Sequence, residues 1–149
     1  MVDAKEYWNQ FYQKDENTNP EVNYFLKDML PRLQKGLALD VAMGVGQNSI
    51  FLAENGFSVK GFDISNTAVS LAKETAITKK LDIDAQVLDL DFFMMQPMEY
   101  DSIIMTRFKP SLMRFFPEMI RGIKQGGTIL IESVGIESME RALAYTNPI

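Results

Sequence analysis

The sequence contains neither cysteine nor histidine. Without cysteine, the chain has no disulfide scaffold, no thiolate metal site and no cysteine nucleophile. Without histidine, it lacks the side chain that most often transfers protons near neutral pH. A metal site would have to consist of carboxylates alone, so we expect neither a zinc enzyme nor a resident metal.

Long apolar runs and an excess of positive charge are also missing. No apolar run approaches the ~20 residues that a membrane helix needs, and the N-terminus has no apolar signal region. We therefore expect a cytoplasmic protein without a membrane partner. The formal net charge of -5 repels a phosphate backbone, which predicts that nucleic acid is not a partner. The pattern of residues does not indicate an oligomeric state.

Apolar residues recur at two regular spacings. Helical spacing predicts helices at 3–13, 22–33, 47–55, 66–80 and 112–123, and a short final helix carrying Ile136, Met139, Ala142 and Leu143. Apolar runs predict strands at 37–42, 58–64, 83–88, 100–106 and 128–133. This alternation is typical of parallel βαβ units. We therefore expect an α/β fold, with a Rossmann-like, doubly wound, mostly parallel sheet in three α/β/α layers.

The loop after the first predicted strand carries Gly44 and Gly46. Ligands of such sheets bind beyond the carboxyl ends of the strands, and glycines let a ligand approach the main chain closely. The pair alone is equally compatible with a plain strand-to-helix turn. Asp63 closes the second predicted strand, 19 positions after Gly44. A carboxylate there can accept hydrogen bonds from ribose hydroxyls, so the unit is predicted to bind a nucleoside cofactor.

Asp40 narrows the choice of cofactor. It stands just before the glycine loop, where it would repel the phosphates of a dinucleotide. S-adenosylmethionine has no phosphate and carries an ammonium and a sulfonium, which a carboxylate favours. Ser49 occupies the place of the third glycine of the dinucleotide fingerprint, which points the same way. The alternative for Asp40 is a buried carboxylate bonded to N–H groups of the loop.

The segment 39–46 resembles the glycine motif of class I S-adenosylmethionine-dependent methyltransferases. Further segments resemble the tellurite-resistance/thiopurine-methyltransferase-like small-molecule group: 7–8, 36–40, 46–48, 52–57, 62–65, 88–91, 100–104 and 124–127. The resemblance implies a single domain over 1–149, with an N-terminal helical cap at 1–36 and a cofactor-binding core at 37–149. It implies methyl transfer to a small-molecule acceptor. The alternatives are a non-catalytic S-adenosylmethionine-binding module and an NAD(P)-binding oxidoreductase domain.

The resemblance also assigns the methionine end of the cofactor. Asp40 and the backbone of Ala42, Gly44 and Gly46 would hold this end, and Asn48 belongs to the same cofactor-binding motif. The family usually has glycine where Ala42 stands. We expect the added methyl group to be tolerated; the alternatives are weaker cofactor binding and an inactive cofactor site.

The nucleoside end is assigned to two further strand ends. Asp63 would hold the ribose, and Ile64 would pack on the adenine. Asp89 would accept a hydrogen bond from the adenine amino group, and the N–H of Leu90 would bind a ring nitrogen. Asp91 is a competitor for the role of Asp89, because both lie on the same side of an extended chain.

Two residues are predicted on the acceptor side. The resemblance places Thr106, at the end of the fourth strand, near the transferring methyl group. Arg107 follows it and either orients an anionic acceptor or is a solvated surface charge. Relatives usually have seven strands, whereas we count five, so either the C-terminal strands are missing or the fold is a compact variant.

Overall fold

The computed structural model describes residues 3–106, 112–134 and 139–146. The helices are α1 (Ala4–Tyr12), α2 (Tyr24–Met29), α3 (Gln47–Glu54), α4 (Asn66–Thr78) and α5 (Leu112–Gly122). The strands are β1 (Leu37–Val41), β2 (Ser58–Asp63), β3 (Ile83–Val87), β4 (Tyr100–Thr106), β5 (Ile123–Val134) and β6 (Met139–Thr146). Short 3-10 turns occur at Asp15–Asn17, Leu30–Arg32 and Leu90–Phe92.

The strands form one sheet in the order β3-β2-β1-β4-β5-β6. The first five pair in parallel, and β6 pairs antiparallel with β5. The strand order reverses direction between β1 and β4, which are neighbours in the sheet. The connections that follow these two strands therefore diverge and leave a crevice at their carboxyl ends. The predicted Rossmann-like, mostly parallel sheet is confirmed.

Alternate residues of the strands pack against different helix layers, as the period of two requires. On β1, Leu39 and Val41 pack into a cluster with Met119 of α5. Ala38, on the opposite face, packs with Leu26 of α2 and Leu52 of α3. The sheet is therefore covered on both faces, which confirms the three α/β/α layers.

Side-chain caps determine where two of the helices begin. The hydroxyl of Ser65 accepts a hydrogen bond from the N–H of Ala68 at 3.1 Å, which confirms the predicted cap of α4. The Oδ1 atom of Asn23 accepts one from the N–H of Leu26 at 3.0 Å and caps α2. Both helices therefore start directly beside the carboxyl edge of the sheet.

The prediction for the last segment was wrong. Met139, Ala142 and Leu143 lie in β6, a strand, and not in a short helix; Ile136 lies outside the described residues. The five predicted strands were therefore one too few. Residues 139–146 pair with the free edge of β5, whose backbone N–H and C=O groups need partners. The apolar spacing of this segment is compatible with either a helix or a strand, and the pairing with β5 decides for the strand.

Candidate functional site

The residues predicted for cofactor binding come together at the carboxyl edge of the sheet. The chain leaves β1 at Ala42, β2 at Asp63, β3 near Asp89 and β4 at Thr106. Hydrogen bonds join neighbouring ends: the N–H of Leu88 donates to the carbonyl of Asp63 at 3.0 Å. Arg107 lies outside the described residues.

The glycine loop after β1 turns through left-handed backbone conformations. Gly44 has φ +58° and Gly46 has φ +85°. A Cβ on Gly46 would lie 2.9 Å from the Cβ of Ala72 on α4, so only glycine allows α3 and α4 to approach this closely. Ala42 is also left-handed, at φ +54°, although it is not a glycine. Its backbone is therefore strained at the position where the family prefers glycine.

The carboxylate of Asp63 ties the glycine loop to α4. Its Oδ2 accepts from the N–H of Gly44 at 2.9 Å, and its Oδ1 accepts from the N–H of Ser65 at 3.0 Å. Burial raises the pKa of Asp63, while hydrogen bonds from the backbone of Ser65, Gly44 and Ile64 oppose this shift. A carboxylate has about four acceptor sites, so these three hydrogen bonds leave about one that can accept from a ligand hydroxyl.

Asp40 is buried beneath the loop and is 1% exposed. Its Oδ2 accepts from the hydroxyl of Ser49 at 2.6 Å. Burial raises the pKa of Asp40 to about 7; the charge of Asp63 adds to the rise, and the Ser49 hydroxyl lowers it. The partners of Asp40 are thus the hydroxyl and the backbone N–H of Ser49 in α3.

A cavity of about 490 Å³ opens beside the glycine loop. Its lining includes four of the predicted site residues: Ala42, Gly44, Asn48 and Thr106. The remaining wall comes from the N-terminal segment and the loop: Trp8, Phe11, Tyr12, Glu16, Asn17, Pro20, Glu21, Val22, Asn23, Tyr24, Met43, Val45 and Gln47. The other predicted residues do not line it: Asp40, Gly46, Asp63, Ile64, Asp89 and Leu90.

A buried chain of hydrogen bonds supports the floor of this cavity. Asn48 donates through Nδ2 to the hydroxyl of Thr106 at 2.9 Å and accepts at Oδ1 from the N–H of Asn23 at 3.0 Å. Asn23 donates through Nδ2 to Oε1 of Glu132 at 2.6 Å. Neither Asn23 nor Glu132 was among the residues predicted from the sequence. Their signals were an asparagine before a helix and a single carboxylate within the apolar run of β5.

Aromatic side chains of α1 cover the glycine loop. Trp8 and Tyr12 stack with ring centroids 6.1 Å apart, and the space above the α-carbon of Gly44 is occupied by the Tyr12 hydroxyl. Burial, with the charge of Asp63 as a further cause, raises the pKa of Tyr12 to about 12. Asn9 anchors the helix, since its Oδ1 accepts from the hydroxyl of Ser65 at 2.6 Å.

A hydrogen bond within the segment itself stabilises the turn after β3. Asp89 accepts at Oδ1 from the N–H of Asp91 at 2.9 Å and so caps the turn Leu90–Phe92. Leu90 packs against the core cluster on the α5 face. The carboxylate of Asp89 therefore caps the turn that also contains Asp91.

A family model described as a methyltransferase domain matches residues 38–127, more than half of the chain. The chain belongs to this family. A phosphoethanolamine N-methyltransferase of Triticum aestivum is 33% identical over 100 residues, which cover 62% of this chain and 19% of that protein. A tRNA (uracil(54)-C(5))-methyltransferase of Pyrococcus horikoshii is 35% identical over 74 residues, which cover 50% of this chain and 17% of that protein.

The fold of this methyltransferase domain is shared with solved structures. One is Haemonchus contortus phosphoethanolamine N-methyltransferase 2 in complex with phosphomonomethylethanolamine and S-adenosylhomocysteine. It superposes with a TM-score of 0.75 at 19% identity, over 89% of this chain and 36% of that chain. The predicted class, an S-adenosylmethionine-dependent methyltransferase, and its cofactor are confirmed at the level of the family. The chain spans about a fifth of the length of the curated relatives named above.

Two finer expectations stay predictions. The family match does not distinguish the tellurite-resistance/thiopurine-methyltransferase-like group from other methyltransferases. One relative is a tRNA methyltransferase, so the exclusion of nucleic acid is not confirmed.

Within the part of the chain that the structure describes, no helix is both long and apolar enough to cross a membrane.

Proposed function

We propose that this domain binds S-adenosylmethionine at the carboxyl edge of the sheet and transfers the methyl group to a small-molecule acceptor. The observation that carries the proposal is the Gly44–Asp63 hydrogen bond, which joins the glycine loop at the cavity to the carboxylate proposed to bind the ribose. This geometry suits a nucleoside whose methionine end runs along the loop towards Thr106.

The residues present suit this cofactor. Asp63 would hold the ribose through its remaining acceptor site, with Ile64 packing on the adenine. Asp89 and the N–H of Leu90 would bind the edge of the adenine. The backbone of Ala42, Gly44 and Gly46 would hold the methionine end, together with Asp40 and Asn48. The cofactor supplies an activated methyl group on a sulfonium.

The protein's own contribution to the transfer is alignment and exclusion of water. Thr106 would lie near the methyl group; support comes from its place in the cavity lining and from its hydroxyl, which accepts from Asn48 at 2.9 Å. The helices of the N-terminal segment at 1–36 would act as a cap over the core at 37–149. Support for the cap comes from Trp8 and Tyr12, which line the same cavity.

The acceptor side favours a small molecule over a nucleic acid. Among the lining residues that the structure describes, the charged side chains are Glu16 and Glu21, and both would repel phosphates. Trp8 and Tyr24 add aromatic surface to the same wall. Together with the net charge of -5, this lining suits a neutral or cationic acceptor with apolar parts. The assignment to the tellurite-resistance/thiopurine-methyltransferase-like group is proposed on the resemblance of the sequence motifs.

Ligand-induced stabilisation tests the choice of cofactor. S-adenosylhomocysteine at 100 times its Kd should stabilise the folded chain by about 2.7 kcal/mol, whereas NAD and NADP should not. Differential scanning fluorimetry measures the shift. If NAD or NADP stabilises the chain and S-adenosylhomocysteine does not, the oxidoreductase alternative is established instead.

Asp63→Ala is expected to abolish the shift given by S-adenosylhomocysteine, because the ribose loses its acceptor. Asp82→Ala changes an exposed carboxylate and is the matched control, which should retain the full shift. An unchanged shift in Asp63→Ala would remove Asp63 from the site.

Transfer of a tritiated methyl group to a panel of small acceptors and to tRNA then separates the acceptor classes. Binding without transfer to any of them would favour the non-catalytic module.

A further inference from the structure

Asn48 lies between two partners that fix the direction of its side-chain amide. Its Oδ1 accepts from the backbone N–H of Asn23 at 3.0 Å, and its Nδ2 donates to the hydroxyl of Thr106 at 2.9 Å. A backbone N–H can only donate, so the amide oxygen must face Asn23 and the amide nitrogen must face Thr106. Asn48 is 3% exposed, so contacts inside the fold set this orientation.

A partner of the same kind fixes the side chain of Asn23. Its Oδ1 accepts from the backbone N–H of Leu26 at 3.0 Å, which directs its Nδ2 to Oε1 of Glu132 at 2.6 Å. Glu132 is buried and is the partner of Thr106 in the parallel pairing of β4 and β5. The chain of hydrogen bonds is therefore anchored at both ends on neighbouring strands, and the amide of Asn48 has little freedom to turn over.

This orientation determines what the hydroxyl of Thr106 can offer to a ligand. Its oxygen accepts from Asn48, so its proton points away from Asn48. Among the residues that the structure describes, none accepts this proton within hydrogen-bond distance. Thr106 is half-buried and lines the 490 Å³ cavity. The proton can therefore be donated to a molecule inside the cavity.

The charges of the cavity wall indicate which kind of atom this proton meets. Glu16 and Glu21 line the cavity, and their negative charges oppose a carboxylate or phosphate oxygen of a bound molecule. An ammonium nitrogen has no lone pair and cannot accept the proton. A neutral ether, carbonyl or hydroxyl oxygen meets both requirements.

We propose that Asn48 is a positioning residue that directs the hydroxyl proton of Thr106 to a neutral oxygen of the methyl acceptor. This inference rests on the proposed function and narrows its acceptor to molecules that carry such an oxygen near the atom that takes the methyl group. Thr106 contacts the acceptor, and Asn48 acts through Thr106. The resemblance gave Asn48 to the cofactor, and the hydrogen bonds add this role on the acceptor side.

Matched thiols test this hydrogen bond, because a sulfur nucleophile needs no general base. The ortho, meta and para isomers of methoxybenzenethiol are each compared with the ethylbenzenethiol of the same substitution. The two members of a pair differ only by an ether oxygen in place of a methylene group. Transfer of a tritiated methyl group from S-adenosylmethionine gives kcat/KM. In at least one pair the wild type should prefer the methoxy thiol about fivefold, as for one neutral hydrogen bond.

Three variants separate the donor from its orientation. Thr106→Val removes the hydroxyl at nearly constant volume and should abolish the preference, whereas Thr106→Ser should retain it. Asn48→Asp still accepts from the N–H of Asn23 but replaces the donor that faces Thr106 with an acceptor. The Thr106 proton then turns towards the new carboxylate, so Asn48→Asp should lose the preference at pH 8 although the hydroxyl is present.

The pH profile of Asn48→Asp distinguishes orientation from a structural defect. Burial raises the pKa of the new carboxyl group, and its protonated form can donate to Thr106 again. The preference of Asn48→Asp should therefore return at pH 5, while that of the wild type stays constant. Asn19→Asp adds the same charge at an exposed position outside the cavity lining and is the matched control, which should keep the wild-type preference at both pH values.

Equal transfer to both members of every pair, or transfer to none of the thiols, would overturn the inference. So would a preference that Asn48→Asp keeps at pH 8. Isothermal titration calorimetry should give Thr106→Val the wild-type Kd for S-adenosylhomocysteine; a weaker Kd would show that the proton serves the cofactor and would overturn the inference too. Failure of the wild-type chain to bind S-adenosylhomocysteine would overturn the proposed function itself.

Discussion

At the scale of single residues, Ala42 shows the conflict between side chain and backbone most directly. Its φ of +54° lies in the left-handed region, where a Cβ costs about 1–2 kcal/mol. Ala42→Gly removes this strain but adds about 0.4–1 kcal/mol of chain entropy to the unfolded state. We expect a net stabilisation of about 0.5 kcal/mol and a few-fold tighter binding of S-adenosylhomocysteine.

Lys80 provides the matched control for Ala42, since it is another left-handed residue, at φ +57° and outside the site. Lys80→Gly should stabilise the chain by a similar amount, measured by urea unfolding, and leave ligand affinity unchanged. Loss of stability in both variants would contradict the strain argument. Unchanged affinity in Ala42→Gly would show that the methyl group does not face the cofactor.

Asp40 predicts a dependence of stability on pH. Its pKa is about 7 in the folded chain because of burial, and an unfolded aspartate titrates near about 3.9. Between these values the folded state binds more protons, so this group stabilises the fold fully below pH ~4 and loses its contribution as pH rises through 7. Asp40→Asn can still accept from Ser49. It should be about 1 kcal/mol more stable than the wild type at pH 8.

Urea unfolding between pH 5 and 8 measures this effect. The wild type should lose stability across the range, whereas Asp40→Asn should show a shallower slope. Asp82→Asn, at an exposed position, should follow the wild type. Parallel curves for Asp40→Asn and the wild type would mean that Asp40 is ionised in the folded chain.

At the scale of elements, Asn23 links the start of α2 to β5 and to the cavity floor. It caps α2 through Oδ1 and donates through Nδ2 to Glu132 at 2.6 Å. Asn23→Asp keeps the cap but places two carboxylates in contact, which should cost about 2–3 kcal/mol. Glu132→Gln in the same chain restores a donor and should recover most of the loss.

A double-mutant cycle of Asn23→Asp and Glu132→Gln, measured by urea unfolding, isolates this coupling. The two changes should be far from additive. Additive effects would show that the contact contributes no coupling energy. Hydrogen exchange at α2 should rise in Asn23→Asp and return in the double variant, because the helix is anchored through this residue.

At the scale of the whole molecule, β6 closes one side of the sheet. It pairs with β5 from Thr128 to Val134, beside the buried residues Ile129 and Leu130. A chain ending at Val134 would expose this edge, with unpaired N–H and C=O groups next to apolar side chains. We expect a loss of about 3–5 kcal/mol and self-association, measured by urea unfolding and size-exclusion chromatography with light scattering.

A chain ending at Thr146, which retains β6, is the control for this truncation. Amides of β5 should stay protected from hydrogen exchange in the control and become exposed in the shorter chain. An unchanged unfolding midpoint in the chain that ends at Val134 would show that the antiparallel pairing contributes little to stability.

The sequence by itself determined the three-layer fold and the glycine loop, and it predicted which residues would hold the cofactor. These depend on local signals: apolar period, glycine position, and acidic residues directly after strands. Only the tertiary structure decided that 139–146 is a strand, because its partner is the distant edge of β5. Likewise, it buried Asp40 under Ser49, joined Asn23 to Glu132 and directed Asn48 towards Thr106, since each depends on contacts between elements that no local spacing encodes.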